Sequence, residues 1–386
     1  MSLFSLGTNT ESLFGVGARY ELKNLIPLSG GNRVLFIASA SSLTRTSVSE
    51  LLRDLENVAK VEVWDRIRSN PRIHDVDACR EKFQESGITH VVGVGGGSAL
   101  DQAKATAMAL HCKTDVAKLL RSRGPLPERT NTLVLLPTTS GTGAELSYGS
   151  ILTDETEGKK SGLRGANLAA DYALVDPELA WGVPMRTSML TGFDTLTHAI
   201  ETWVSKSATP YSRDLSRGAI ERIFQWLPVL HNDLTSKNAR YELSYASMIM
   251  GINLALSTTC LPHRLQYPIG AATDTAHAEG LAAIYPAWLD HALPYTEERL
   301  SECADWIAPF RNLNVRRSKP AKAKFFTEEV KNLIQEIDLA PTLTDLGVQR
   351  SNLEEFVSKV NGNLEADPSY QCKDDLLAIY EAALGR

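Results

Sequence analysis

The sequence predicts an α/β domain with a doubly wound parallel sheet, followed by an all-α domain. The chain has 386 residues, which at ~150 residues per domain leaves room for two or three domains and a large core. In its first half, continuous apolar runs alternate with amphipathic helical patterns, the order typical of a parallel sheet. After about Pro184 the patterns are mainly helical.

The predicted strands are continuous apolar runs, as expected of strands that are buried on both faces. They are Arg33–Ser39, Val61–Trp64, Thr89–Val94 and Leu133–Leu136. Helical spacing of apolar residues predicts Thr46–Leu55, Val76–Gly87 and Ala99–His111 as the helices between them. Strand–helix alternation favours parallel pairing. We therefore expect the parallel-sheet domain to occupy residues 1–184.

The remainder, residues 185–386, is expected to form the helical domain. Its predicted helices are Ser188–Lys206, Ser212–Asn232, Ala239–Leu256, a long segment near Ala276–His291, Thr327–Ile337 and Leu376–Leu384. Prolines are expected to separate these segments because proline interrupts a helix. They are Pro177, Pro184, Pro210, Pro228, Pro262, Pro268 and Pro341.

Composition narrows the class of protein. Lys plus Arg is 40 and Asp plus Glu is 46, so the net charge of −6 argues against a nucleic-acid binder. No apolar run approaches the ~20 residues that a membrane span needs, and the first residues do not resemble a secretory signal. The 5 cysteines are scattered and form no CxxC pair. We expect a cytoplasmic protein that binds neither nucleic acid nor membrane.

A glycine-rich turn follows the third predicted strand, in the segment VVGVGGGSALD. Gly95, Gly96 and Gly97 leave backbone N–H groups open to an anion, and the following helix N-terminus adds unpaired donors. Ser98 is placed to cap that helix or to reach a phosphate. A second small-residue segment, PTTSGTGAE at residues 137–145, follows the next strand, at the sheet edge where ligands bind in α/β folds. Together they predict a phosphate site.

A candidate metal constellation lies in the helical half. Asp194 and His198 are four residues apart, so on a helix they share one face. His263 and His277 lie in the segment LPHRLQYPIGAATDTAHAEG. One carboxylate and three imidazoles suit Fe²⁺ or Zn²⁺. An ordinary Asp–His helix pair is the alternative, since 65 positions separate His198 from His263.

These segments resemble the iron-containing (group III) alcohol dehydrogenase family of the dehydroquinate synthase-like superfamily. The matching stretches are GGGSALDQAK (95–104), PTTSGTGAE (137–145), GFDTLTHAIE (192–201) and HRLQYPIGAATDTAH (263–277). The resemblance implies an NAD(P)-linked enzyme that interconverts an alcohol and an aldehyde at a divalent metal acting as a Lewis acid. It also implies a small-molecule substrate and a homo-oligomer, a dimer by analogy.

The family's functional residues carry over onto matching positions of this chain. The resemblance assigns the cofactor pyrophosphate to Gly95, Gly96, Gly97 and Ser98, and it counts Asp101, in the helix that follows, among the cofactor-binding residues. Thr138, Thr139 and Thr142 would line the cofactor site. The implied metal ligands at the catalytic centre are Asp194, His198, His263 and His277, with Fe²⁺ as the expected ion and Zn²⁺ as the alternative.

The chain departs from the family at two positions that bear on catalysis and cofactor choice. Tyr267 replaces the histidine that many members carry four residues after the third ligand, so it is either a hydrogen-bond donor to the substrate oxygen or a pocket wall. Ser39 stands where NAD-preferring members have an acidic residue that binds the ribose hydroxyls. Together with nearby Arg45, it favours NADP(H) slightly over NAD(H).

Cations near the motifs suggest an anionic substrate. Lys160 follows the second loop, and Arg264 directly follows a ligand histidine. Such side chains clamp phosphonate, sulfonate or carboxylate tails, although a solvated lysine is the simpler interpretation. Three other functions stay open: a maleylacetate reductase-like enzyme, a reductase that needs no metal, and a dehydroquinate synthase-like lyase that recycles NAD internally.

Overall fold

The computed structural model describes residues 9–26, 31–112, 114–122, 124–311 and 318–385. The chain divides into two compact units, one of Gly7–Val183 and one that comprises Pro184–Arg386. The first unit is built on a parallel sheet and the second is helical in its described residues. This confirms the predicted fold class.

The first unit contains a six-stranded sheet and a separate two-stranded hairpin. The strands are β1 (Glu11–Phe14), β2 (Arg33–Ala38), β3 (Lys60–Trp64), β4 (His90–Gly95), β5 (Thr132–Pro137), β6 (Gly149–Asp154), β7 (Lys159–Arg164) and β8 (Tyr172–Val175). In the six-stranded sheet the order is β1-β8-β5-β4-β2-β3, and all neighbours are parallel. Strands β6 and β7 pair antiparallel.

Helices cover both faces of this sheet. Those of the first unit are α1 (Leu22–Leu25), α2 (Ala40–Leu43), α3 (Thr46–Glu56), α4 (Ile73–Phe83), α5 (Gly97–Ala109) and α6 (Val116–Ser122). Alternate residues of β2 enter different cores. Leu35 and Ile37 pack in one apolar cluster, while Val34 and Phe36 pack in another. Because both faces are buried, the strands appear in the sequence as continuous apolar runs.

The strand order places a topological switch point between β2 and β4. The chain runs from β2 outward to β3 and then returns across β2 to form β4 on its other side. In open α/β sheets the crevice beside the carboxyl ends of two such strands is where ligands bind. Ser39 follows β2 and the glycine turn follows β4, so both flank this switch point.

The second unit has one extended apolar core. Its helices are α7 (Met185–Val204), α8 (Pro210–Asn232), α9 (Lys237–Leu256), α10 (Leu261–Thr273), α11 (His277–Arg311), α12 (Lys319–Glu336), α13 (Leu353–Lys359) and α14 (Lys373–Ala383). Side chains from most of these helices, among them Phe193, Phe224, Trp288 and Phe326, pack in this core. Within the described ranges, no helix combines the length and apolarity required to cross a membrane.

Two of the proline predictions are wrong. Pro228 lies inside α8 and Pro268 lies inside α10, so neither separates helices. A proline within a helix costs roughly 3 kcal/mol through a lost hydrogen bond and a steric clash. The neighbours of Pro268, including Leu265 and Ile269, are fully buried, and tertiary packing of such residues supplies most helical stability in proteins.

Candidate metal and nucleotide sites

The residues that surround the turn of Gly95–Gly97 leave no room for side chains in it. Gly95 has φ +155°, and a Cβ there would lie 2.6 Å from the Ala99 Cβ. A Cβ on Gly97 would lie 2.6 Å from the Thr142 Cγ2. Helix α5 begins after Gly96, and no side chain in the described part of the chain caps its first amides. An uncapped helix N-terminus behind glycines is suited to bind a phosphate.

The threonine loop after β5 lies against the glycine turn. The backbone N–H of Thr138 donates to Gly95 O at 2.9 Å, and Thr138 is buried. A Cβ on Gly96 would lie 3.4 Å from the Thr139 Oγ1. Thr142 contacts Gly97 and accepts a hydrogen bond from Ala144 N at 3.2 Å. The structure therefore brings the two predicted cofactor segments together at the carboxyl ends of β4 and β5.

Ser98 and Asp101 have partners within the protein. The Ser98 hydroxyl donates to Ser69 O. The Asp101 carboxylate lies 2.9 Å from Lys104 Nζ and accepts from Ile151 N at 3.0 Å, which fixes α5 to β6. Their proposed contacts with a cofactor stay predictions.

A fully buried lysine, which the sequence motifs did not single out, fixes the threonine loop. Lys104 Nζ donates to Ala144 O at 2.8 Å and to Ser147 Oγ at 3.1 Å. Next to Ala144, burial raises the pKa of Glu145 to about 7, opposed by a backbone hydrogen bond and by the charge of Lys104. The signal for Lys104 is its place three residues after Asp101 on α5, the spacing of an ion pair.

Ser39 lies directly after β2 and caps the short helix α2. Its hydroxyl accepts from Ser42 N at 3.1 Å and lies 2.8 Å from Ser42 Oγ. Among the residues that the structure describes, Nη1 of nearby Arg45 is buried and has no hydrogen-bond partner. No carboxylate occupies the Ser39 position, as the sequence indicates.

The four candidate ligands converge on one point in the second unit. Asp194 and His198 lie on α7, His263 lies on α10, and His277 is the first residue of α11. The Nε2 atoms of His198, His263 and His277 lie 3.9, 3.8 and 3.7 Å from Asp194 Oδ1. Those separations are too long for hydrogen bonds but are consistent with ligands that each bind one ion at ~2.0–2.2 Å.

The chemistry of this cluster fits a divalent metal. Asp194, His198 and His263 are at most 5% exposed, and burying a carboxylate among imidazoles is costly without a cation. Asp194, His263 and His277 each offer a ligand atom within 4.8 Å of the others, and His198 stacks on His263 with ring centroids 4.5 Å apart. An N₃O donor set of this kind suits Fe²⁺ or Zn²⁺.

Two residues outside the predicted set orient the histidines. Glu201 Oε1 lies 2.7 Å from His263 Nδ1, and Gln266 Oε1 lies 2.5 Å from His277 Nδ1. Such contacts fix ring orientation and leave Nε2 free to bind a metal. Burial raises the pKa of Glu201 well above its usual value, although the Cys260 N–H opposes the shift. The missed signal was helical spacing: Glu201 is seven residues after Asp194 and Gln266 is three after His263.

The remaining predicted site residues are spread over both units. Tyr267 is 7% exposed, with its ring centroid 6.4 Å from that of His277. Arg264 is buried and donates from Nη2 to Thr258 Oγ1 at 3.0 Å. Lys160 belongs to β7 in the first unit, where its buried Nζ donates to Asn70 Oδ1 at 2.9 Å.

Comparison with known protein families covers nearly the whole described chain. Residues 9–177 match the family model described as iron-containing alcohol dehydrogenase. Residues 188–384 match the C-terminal model of the Fe-containing alcohol dehydrogenase family.

Individual relatives are similar over almost their full length. The long-chain primary alcohol dehydrogenase AdhA of Thermoanaerobacter ethanolicus is 27% identical, covering 98% of this chain and 97% of the relative. A sulfoacetaldehyde reductase of Bilophila wadsworthia is 25% identical, covering 97% of each chain. The structure of a sulfoacetaldehyde reductase from Bifidobacterium kashiwanohense in complex with NAD⁺ is 25% identical, with a TM-score of 0.88 over 100% of this chain and 99% of that one.

Proposed function

Because the chain belongs to the iron-containing alcohol dehydrogenase family, we propose that it is a metal-dependent, NAD(P)-linked alcohol dehydrogenase or aldehyde reductase. Membership makes it an oxidoreductase that acts on CH–OH groups. The observation that carries the metal-dependent proposal is the convergence of three imidazole Nε2 atoms on Asp194 Oδ1. We assign cofactor binding to the domain of residues 1–184 and metal binding to the domain of residues 185–386.

The cofactor assignment rests on the switch point of the sheet. The backbone of Gly95–Gly97 and the α5 N-terminus would hold the pyrophosphate, with Ser98 beside it. Thr138, Thr139 and Thr142, which adjoin the turn, would shape the rest of the site, and Asp101 would keep α5 in place. When bound there, a nicotinamide cofactor would supply or accept the hydride.

The metal would be held by Asp194, His198, His263 and His277, with Fe²⁺ preferred and Zn²⁺ as the alternative. When bound, it supplies Lewis-acid polarisation of the substrate oxygen. With a divalent ion bound, Asp194 would supply one negative charge and the three histidines would be neutral donors, so the site would keep a net positive charge toward the substrate. Burial of Asp194, His198 and His263 limits water around these ligands. Tyr267, near His277, would donate a hydrogen bond to the substrate oxygen.

We propose NADP(H) as the preferred cofactor, with NAD(H) as the alternative. An acidic residue at the end of β2 would repel a 2′-phosphate. Ser39 carries no charge, so it would not repel this phosphate. The hydroxyl groups of Ser39 and Ser42 and the guanidinium of nearby Arg45 offer hydrogen-bond donors to it. The relative whose structure contains NAD⁺ supports the alternative.

We propose a short-chain aldehyde with an anionic tail as the substrate. Two sulfoacetaldehyde reductases are among the relatives, and Lys160 and Arg264 are the candidate cations. The alternatives are a maleylacetate reductase-like activity and a lyase of the dehydroquinate synthase type, which would consume no net NAD(P)H. A homodimer is proposed from the family analogy alone.

A substrate panel tests this function. The protein, purified anaerobically and loaded with Fe²⁺ or Zn²⁺, is mixed with NADH or NADPH and with neutral or anionic short aldehydes. We expect nucleotide oxidation in proportion to alcohol formed, fastest with NADPH and an anionic aldehyde. Bound metal and nucleotide without any nucleotide oxidation would contradict the reductase and favour the lyase.

A further inference from the structure

We propose that Glu201 is a positioning residue that holds His263 in the orientation and tautomer required of a metal ligand. This inference rests on the proposed metal site. Glu201 lies on α7, seven residues after Asp194, so it shares the face of the helix that carries Asp194 and His198. Its side chain is fully buried, which makes its hydrogen bonds strong and specific.

The Glu201 carboxylate joins two helices through its two oxygens. Oε1 lies 2.7 Å from His263 Nδ1, while Oε2 accepts from the backbone N–H of Cys260 at 2.8 Å. Cys260 immediately precedes helix α10, whose third residue is His263. A single carboxylate on α7 therefore fixes both the start of α10 and the ring of its ligand.

Both partners of the Glu201 carboxylate, His263 Nδ1 and the Cys260 N–H, must be donors if His263 binds a metal through Nε2. A ligand at Nε2 leaves the proton of the neutral ring on Nδ1, and the Cys260 amide always donates. Only a carboxylate offers one acceptor oxygen to each. A glutamine at position 201 has one acceptor oxygen and one NH₂ group. Its NH₂ group would therefore face another donor, either His263 Nδ1–H or Cys260 N–H, and that hydrogen bond would be lost.

The same helix start provides a matched control. Asp367 is also fully buried, and its Oδ2 accepts from Leu261 N at 3.0 Å and from Trp288 Nε1 at 2.9 Å. Asp367 therefore accepts from the backbone N–H of Leu261, just as Glu201 accepts from that of Cys260, the residue before it. Among the described residues, no hydrogen bond of Asp367 reaches a candidate ligand.

The two variants separate positioning from helix capping. Zn²⁺ affinity of the apo form of the full chain is measured by chelator competition for wild type, Glu201→Gln and Asp367→Asn, together with thermal unfolding of each. We expect Glu201→Gln to weaken Zn²⁺ binding about 10–100-fold. Asp367→Asn should lower the melting temperature but change Zn²⁺ affinity less than about threefold. Equal Zn²⁺ affinities of folded wild type and Glu201→Gln would overturn the proposal.

A second measurement uses only the wild-type protein, so it does not depend on whether a variant folds. ¹⁵N NMR of histidine-labelled, Zn²⁺-loaded wild type reports which ring nitrogen carries the proton. We expect His263 to be protonated at Nδ1, with a downfield proton shift from a short hydrogen bond. A His263 ring that binds Zn²⁺ through Nδ1 would overturn the role of Glu201. Wild type that binds no Zn²⁺ at all would instead contradict the proposed function.

Discussion

The amide oxygen Oε1 of Gln266 lies 2.5 Å from His277 Nδ1, so α10 carries His263 and also orients the first residue of α11. Gln266 is fully buried, and two glycines make room for it. A Cβ on Gly270 would lie 2.8 Å from Gln266 Nε2, and one on Gly280 would lie 3.0 Å from Gln266 Cγ. The glycines therefore serve the geometry of the proposed metal site.

Gly280→Ala should weaken metal binding through Gln266. The added methyl group would press on the Gln266 stem and disturb its contact with His277, an effect for which we expect a roughly tenfold loss of Zn²⁺ affinity. Gly218→Ala is the control, since its Cβ would meet other atoms only at 3.4 Å or more in the middle of α8. Chelator competition compares the two, and an identical loss in both variants would contradict the explanation.

Ser39→Asp should change cofactor preference. Aspartate keeps the N-cap of α2, but its charge at the end of β2 would repel a 2′-phosphate. We expect kcat/KM for NADPH to fall at least about tenfold, which is roughly 1.4 kcal/mol, with little change for NADH. Ser86→Asp adds the same charge four residues before β4, at the end of the sheet where the strands begin. It should change kcat/KM for neither NADPH nor NADH. An unchanged NADPH/NADH ratio in Ser39→Asp would refute the NADP(H) assignment.

Lys160→Met tests the proposed substrate cation. If Lys160 binds an anionic tail, its loss removes a charge-assisted hydrogen bond of about 1.5–3 kcal/mol, so KM for sulfoacetaldehyde should rise about 10–100-fold. KM for propanal should stay the same. Lys159→Met is the neighbouring control on the other face of β7, where Lys159 is half-exposed and pairs with Glu157. Equal KM values for sulfoacetaldehyde in wild type and Lys160→Met would remove this residue from the substrate site.

Glu145 should make stability depend on pH. Burial raises its folded-state pKa from 4.5 to about 7, so between these values the folded chain holds a proton that the unfolded chain releases. Stability therefore falls as pH rises from about 4.5 to 7 and then levels off, a loss of about 3–4 kcal/mol at ~1.4 kcal/mol per pKa unit. Glu145→Gln lacks this loss. Its melting temperature relative to wild type should rise between pH 5 and pH 8; parallel curves would contradict the shift.

The sequence predicted those elements whose burial leaves a simple pattern. Strands β2, β4 and β5 are buried on both faces and were found from their apolar runs within one residue at each end. The hairpin of β6 and β7 was missed because one of its strands, KKSGLR, carries lysines, an arginine and a glycine. Helix α10 was missed because Pro262 and Pro268 suggested turns. Pro262 lies in the first turn of the helix, where its missing N–H breaks no hydrogen bond, and the buried packing of the helix tolerates Pro268.

Residue types indicated the candidate ligands, but only the tertiary structure showed what orients them. Asp194 and His198 are helical neighbours, so their proximity follows from the sequence alone. The approach of His263 and His277 to Asp194 depends on how α7, α10 and α11 pack. Glu201 and Gln266 were missed because a polar residue on a helix is usually solvated, and nothing in the sequence showed that both are fully buried.

The most direct test of metal-dependent reduction is a metal titration of activity. Apoprotein is titrated anaerobically with Fe²⁺, in parallel with Asp194→Ala, while NADPH oxidation by an aldehyde is followed. We predict that activity rises linearly to a plateau at one equivalent of metal per chain and that Asp194→Ala stays inactive throughout. Apoprotein that reduces the aldehyde as fast as the loaded protein would contradict the account and favour a metal-free reductase.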